Sequence, residues 1–363
     1  MEKQFPDILV QQTFGRNDLI RLISAGGSDQ TLLHARSCQV AEAVVGKKVF
    51  FRGLVEFSNI CTKDCFYCGI RKSNHEVERY TLDDDAIVDA ARLAWKNRYG
   101  SLVLQSGERS DAAFVDRIGG LLMKIKTMTG GELGVTLSLG EQTEETYRYW
   151  YECGAHRYLL RIESSSEALY HHIHPNDADH GFANRLRCLY DLKRIGYQTG
   201  TGVMIGLPFQ DYGHLADDLL FMERLDVDMV GMGPYIEHAH TPLYGHRHRL
   251  WPVVRRFGVA LNMVAALRLM MPDINIAATT ALQAIDPIGR EKALKIGANV
   301  IMPNITPSFH RKDYLLYENK PCTDEGTDDC AGCAAIRIEM AGKQVALGEW
   351  GDSAHYFNRK KSS

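Results

Sequence analysis

Several features are missing from this sequence of 363 residues, and each absence narrows what the chain can do. No apolar run approaches the ~20 residues that a membrane helix needs. The most apolar stretch, residues 253–271, is interrupted by Arg255, Arg256 and Arg268. The first dozen residues carry acids and a proline where a secretion signal needs an apolar core, so a cytoplasmic location is expected. There is no basic block, and a net charge of −3 argues against a nucleic-acid surface. No internal repeat or low-complexity linker divides the chain. Residues 202–206 lack the glycine spacing of a dinucleotide turn, which leaves nicotinamide binding unsupported. What remains, 45% apolar and 24% charged, is the composition of a folded globular protein.

The nine cysteines are unevenly spread. Cys38, Cys153 and Cys188 stand alone in helical patterns and are expected as small buried hydrophobes. The others form two local triplets, which predicts metal binding in a reducing compartment rather than disulfides. Cys61, Cys65 and Cys68 make a Cys-x3-Cys-x2-Cys triplet just after the apolar run 49–57. Three thiolates are one too few for a [4Fe–4S] cube, whose four irons normally take four cysteines. An iron left without a protein ligand can bind S-adenosylmethionine through its amino and carboxylate groups. Tyr67 is placed to lie beside an adenine. The alternatives are free thiols or a tetrahedral zinc, which needs a fourth Cys or His; His75 lies seven residues beyond Cys68. Cys322, Cys330 and Cys333, in a Gly/Asp-rich segment, predict a second, accessory iron–sulfur cluster of either [2Fe–2S] or [4Fe–4S] type, with zinc or an empty site as alternatives.

Helical periodicity at residues 16–25 and 29–45, with Gly26-Gly27 as the stop between them, opens the chain. Strand-like runs then appear at 49–57, 101–105, 133–139, 157–162, 198–205, 229–235, 275–280 and 299–302. Helical segments at 84–99, 112–128, 144–153, 182–195, 215–225, 251–271 and 289–296 separate them. Eight such units predict a TIM-type (β/α)8 barrel over residues 48–310, with a helical N-terminal cap over 1–47 and a cysteine-containing extension over 311–363. An open doubly wound sheet is the alternative.

A barrel of this kind collects its chemistry at the C-terminal ends of its strands. Gln105, Ser106, Gly107 and Glu108 follow the second strand, and Thr136 and Ser138 share one face of the third. Arg161 and Glu163 share a face of the fourth, while Thr279 and Thr280 end the seventh. A buried guanidinium requires an anionic partner. For Arg161 that partner is either Glu163 or a bound carboxylate. Arg185 is either a ligand for the cofactor carboxylate or a solvent-facing helix charge. His171, His172 and His174, and the pairs His238/His240 and His246/His248, lie in acid-poor surroundings. They read as a short helix and a loop over the barrel mouth, not as metal sites.

The run from Glu56 to Gly69 resembles the radical S-adenosylmethionine signature of the biotin synthase and methylornithine synthase branch. Residues 104–108, 136–141, 157–161, 231–234, 278–281 and 302–304 together resemble the HydE family of [FeFe]-hydrogenase maturases, over about residues 48 to 340. The second triplet matches the spacing of that family's variable second cluster. The resemblance implies reductive cleavage of S-adenosylmethionine, with Tyr67, Gly107, Glu108, Ser138, Glu163 and Arg185 as cofactor contacts. It assigns Gln105, Ser106, Thr136, Arg161, Thr279 and Thr280 to a carboxylate-bearing substrate. That substrate is expected to be a cysteine-ligated iron carbonyl–cyanide complex in hydrogenase maturation, or alternatively an amino acid. Other maturases and a reducing electron donor are the expected partners, with neither nucleic acid nor membrane.

Overall fold

The computed structural model describes residues 3–323 and 327–362, of which 327–331 and 362 are described by backbone alone. Eight parallel strands form the sheet: β1 (Lys48–Ser58), β2 (Ser101–Ser106), β3 (Gly134–Ser138), β4 (Arg157–Leu159), β5 (Gln198–Thr201), β6 (Met229–Val230), β7 (Asn275–Ile276) and β8 (Val300–Ile301). They run in the order 8-1-2-3-4-5-6-7. The two ends of that path meet through the parallel bridge Ala277↔Val300 and the Ala278 N–H to Val300 C=O bond of 2.9 Å, which closes the barrel. The open doubly wound sheet is thereby set aside.

Helices fall where the periodicity placed them, with Ala112–Met128, Phe182–Ile195 and Gly289–Ile296 at the expected bounds. Side-chain caps fix the starts of three of them: Asp83, Asp111 and Thr143 accept from the backbone N–H groups of Ala86, Phe114 and Thr146. A short helix Phe5–Leu9 precedes the two that were expected, and the helix expected over residues 29–45 begins earlier, at Gly27. It packs with Arg16–Ile23 against the long helix Val253–Met270, whose inward face is apolar and buried. Among the described residues no single helix is long and apolar enough to cross a membrane.

Two departures from the sequence reading matter for function. First, the runs expected at 157–162, 198–205 and 229–235 leave the ladder early. Met204–Ile205 and Gly233–Pro234 pair again above the break as a separate two-stranded piece. The cause lies in the polar residues. Arg161 Nη1 takes the Gly231 carbonyl at 2.6 Å, and a Cβ at Gly202 would lie 1.9 Å from that same oxygen. Second, a short strand β9 (Gln344–Ala346) pairs alongside the start of β1, with Lys48 opposite Gln344. It leads residues 350–353 across the bottom of the barrel. There Arg157 Nη1 donates to the Trp350 carbonyl at 2.9 Å and to Asp352 at 2.7 Å, and Arg52 Nη2 donates to the Gly351 carbonyl at 3.0 Å.

Candidate functional site

From Ser58 the chain enters a loop that carries the first cysteine triplet and has almost no regular structure. Its backbone groups must therefore find partners elsewhere. Arg79 supplies many of them: Nη1 donates to the carbonyls of Asn59 (2.7 Å) and Ile70 (2.8 Å), and Nη2 to those of Arg71 (2.6 Å) and Asn74 (2.9 Å). Asp64 accepts from Arg71 at 2.7 Å and from the Ser73 hydroxyl at 2.8 Å, while the Thr62 N–H reaches the Glu108 carbonyl at 2.9 Å. The cysteines are thus presented by an anchored loop.

Cys61, Cys65 and Cys68 line one cavity of about 370 Å³ at the C-terminal ends of the strands. Tyr67, Gln105, Ser106, Gly107, Glu108, Ser138, Arg161, Glu163, Arg185, Thr279 and Thr280 line it too, so residues far apart in sequence share the polar mouth that the strand-top pattern implied. The N–H of Glu108 points at Cys61 Sγ at 3.3 Å. Gly107 permits this approach, since a Cβ there would lie 2.4 Å from the Ile60 carbonyl oxygen. Across the mouth runs a strap, residues 313–323, secured by Tyr314 to Gln105 (3.3 Å), Tyr317 to Thr280 (2.7 Å) and Lys320 to Glu56 (2.5 and 2.7 Å).

Besides the Glu56–Lys320 pair of the strap and Arg290, two sets of charges stand at the cavity. Lys63 sits 3.1 Å from Glu108 and 3.2 Å from Glu141, and Arg185 pairs with Glu141 through Nε while Nη1 donates to the Arg161 carbonyl at 2.8 Å. Arg185 is therefore buried within the site; it is not a solvent-facing helix charge. Burial pushes the Glu108 carboxyl up, and the neighbouring Glu141 adds to this against Arg185 and Lys63. Burial also acts on Glu141, but Arg185 and Lys63 outweigh it and hold that carboxyl below its usual range. The second set is Arg161 and Glu163, joined by two parallel bonds of 2.8 and 2.9 Å. Glu163 adopts φ +63°, a strained backbone for a residue with a Cβ, at the point where β4 has left the ladder.

The thiols are buried enough to resist ionisation. Desolvation raises Cys61, raises Cys65 well above the usual thiol range, and brings Cys68 to about 12, with neighbouring thiols adding to the last two. Thiolate ligation here must release protons. Among the described residues no three His, Cys, Asp or Glu side chains converge on one ion position. Three thiols lining one cavity suit a polynuclear cluster that takes one protein ligand per iron. The Glu108 N–H on Cys61 Sγ is the kind of outer contact that such a cluster takes from its protein.

Some residues lie elsewhere than expected. Thr136 is outside the cavity: its Oγ1 accepts from Arg157 Nε at 3.0 Å and lines a smaller void beneath, with Arg52 and Met229. It stands two residues below Ser138, one layer of side chains deeper in the barrel. Cys322 lines the cavity mouth, whereas Cys333 is exposed on the helix Thr327–Met340. The Cys330 side chain lies outside the described residues. Lys63 and Glu141 were not singled out from sequence. Lys63 had the signal of standing inside the cysteine triplet. Glu141 had only its place after Gly140, whose φ of +77° bends the end of β3 toward the site. His238 is buried against Gly69, consistent with a covering loop.

Residues 55–222 match the family model described as the radical SAM superfamily. The chain is 44% identical, over 88% of its length and 88% of that protein's, to the [FeFe] hydrogenase maturase subunit HydE of Thermotoga maritima. Its fold is similar to that of methylornithine synthase PylB, with a TM-score of 0.78 at 23% identity over 95% of this chain and 97% of the other. It is also similar to the FeFe-hydrogenase maturase HydG from Carboxydothermus hydrogenoformans, with a TM-score of 0.77 at 16% identity over 94% and 78%.

Proposed function

Because the chain belongs to the HydE family within the radical SAM superfamily, we propose that it cleaves S-adenosylmethionine reductively and acts in [FeFe]-hydrogenase cluster assembly on a cysteine-ligated iron carbonyl–cyanide precursor. The observation that carries this reading is the single cavity in which Cys61, Cys65 and Cys68 face two carboxylate–cation sets. A [4Fe–4S] cluster held by those cysteines would supply the electron that splits the sulfonium carbon–sulfur bond into methionine and a 5′-deoxyadenosyl radical. The protein's share is to bind, orient and keep water out.

Arg185, oriented by Glu141, offers charge to the cofactor carboxylate, and Tyr67 and Ser138 shape the wall beside it. Arg161 is neutralised by Glu163, so a carboxylate-bearing substrate recognised there must share the guanidinium with that glutamate. Gln105, Ser106, Thr279 and Thr280 add neutral hydrogen-bonding groups. Thr136 lies one layer too low to join them. The strap with Tyr314, Tyr317 and Lys320 closes the mouth over these groups and limits the access of water. On its spacing alone the triplet Cys322, Cys330 and Cys333 is proposed to hold an accessory iron–sulfur cluster.

Anaerobic reconstitution tests the reading. Dithionite-dependent formation of methionine and 5′-deoxyadenosine is expected, together with rescue of hydrogen production in a maturation mixture lacking HydE. Cleavage without rescue would move the enzyme to an amino-acid substrate. Cys330→Ala should leave cleavage intact.

A further inference from the structure

Between Glu237 and Asp273 the sequence contains neither acid nor lysine, yet it carries five arginines. Arg256 and Arg268 are buried and committed, the first to Glu237 and the second to backbone carbonyls. The other three are exposed and held in a different way. Arg247 lies 4.5 Å over the ring of Tyr244, Arg249 lies 4.9 Å over Phe209, and Arg255 lies 4.5 Å over Trp251 and 5.2 Å over Tyr212. None of the three makes an ion pair among the described residues; Arg247 and Arg255 each spend one donor locally, on the Tyr244 carbonyl and the Tyr212 hydroxyl, both at 3.3 Å. Stacking fixes the guanidinium plane and leaves most of its donors free. Phe209 is itself fixed, with φ +70° and its ring stacked 4.9 Å from His172. Val254, 82% exposed, adds an apolar spot beside Arg255. Planar cations on aromatic rings beside an apolar spot match the composition of protein-binding surfaces, and Asp211, the exposed acid between two of those rings, is taken up by His214.

The position of this face indicates its partner. Arg247 and Arg249 end the 3₁₀ helix Pro242–Arg249, and the N–H of Leu243 in that helix donates to the Phe66 carbonyl at 3.0 Å. Phe66, Tyr67, Leu243, Phe209 and Leu250 form one apolar cluster, which backs the loop between Cys65 and Cys68. Arg71 of that loop reaches the His240 carbonyl at 3.4 Å. At about 2 Å per residue, the arginines lie roughly 8–12 Å along the helix from the contact with Phe66. We propose that the face of Arg247, Arg249 and Arg255 docks an acidic one-electron carrier protein that reduces the site behind it. This rests on the reading of Cys61, Cys65 and Cys68 as cluster ligands. In each event the carrier gives up one electron and the cluster gains one, with no proton or atom transferred. Stacked arginines without lysine suit bidentate carboxylates, and the apolar spot suits a protein surface more than a phosphate backbone.

Calorimetric titration of the holoenzyme with oxidised flavodoxin, and separately with oxidised ferredoxin, reads docking without turnover. Wild type is expected to bind at least one of them at low salt and to lose about tenfold or more in affinity as salt rises. The double variant R247E/R249E, and R255E separately, should weaken binding by about tenfold or more and slow carrier-driven cleavage of S-adenosylmethionine in proportion, while dithionite-driven cleavage stays at the wild-type rate. Carrier binding that is absent, or equal in wild type and variants, would overturn the proposal. So would arginine-dependent binding of a single-stranded RNA oligonucleotide that displaces the carrier. If dithionite fails to drive cleavage in wild type, the cluster reading fails, and the titration still decides the surface.

Discussion

Arg157 and Arg161 stand four residues apart along one strand line, and what each faces distinguishes the two ends of the barrel. Arg157 is fully buried at the bottom, where it is tied to Thr136, Trp350 and Asp352. Arg161 sits at the top, is paired with Glu163, and keeps part of its surface open to the cavity. At the bottom every partner comes from the protein and the space is shut. At the top paired carboxylates and cations, with Arg290 beside them, surround a volume large enough for ligands. The same residue type thus serves as a structural tie or as a recognition group, according to whether the chain itself fills the space in front of it.

The contrast can be broken most severely at the top. Cys65→Ala should abolish dithionite-driven cleavage of S-adenosylmethionine, by at least about a thousandfold, since it removes one cluster ligand. Circular dichroism should show the fold intact. At the bottom, Asp352→Ala should leave Arg157 buried without its carboxylate and cost about 3–5 kcal/mol of stability, read as a lower denaturation midpoint. His156 and Arg157 hold the Asp352 carboxyl far below its usual range despite burial. Its contribution is therefore complete above the ordinary aspartate range and is lost as pH falls below it. Glu141→Gln should sharpen the view of the top. With Arg185 and Lys63 deprived of their shared carboxylate, affinity for S-adenosylmethionine should fall about tenfold and stability should fall by about 1.5–3 kcal/mol, the amide keeping part of the hydrogen bonding.

A pH-dependent effect concerns Asp218, which accepts from the N–H and hydroxyl of Ser165 at 2.7 Å each and so supports the turn after Glu163. Burial raises its carboxyl to about 6. The folded state therefore favours the proton, and the cost of ionisation is absent below the ordinary aspartate value and fully present above pH ~6. Asp218→Asn should stabilise the protein by up to about 2–3 kcal/mol at pH 8, with the gain fading between pH ~6 and ~4. An equal gain at both ends of that range would show that Asp218 does not titrate as described.

The alternation of strands and helices was legible because each barrel unit repeats the same period change, and polar residues at strand tops broke an otherwise apolar pattern. Arg161, Glu163, Thr279 and Thr280, which line the cavity, stand out in that way, although the last two lie beyond the seventh strand, which ends at Ile276. Thr136 lies below the cavity, which parity does not reveal because it gives the face of a strand and not the height along it. Arg185 stayed ambiguous because its partner, Glu141, lies on a different β/α unit, and pairing across units leaves no trace in local spacing. The closure of the bottom was missed for a similar reason. β9 is three residues long, and its register with β1 is set by a contact across about 300 residues of sequence.

Gly100 lies where the tail crosses, and a Cβ there would stand 1.5 Å from the Glu349 carbonyl oxygen. The crossing also has a bearing on synthesis. Arg52 and Arg157 are translated early, but the residues that neutralise and cap them come some 190 to 300 positions later. Closing the base therefore needs the chain to be made through residue 352, well after the strands that carry the two cations.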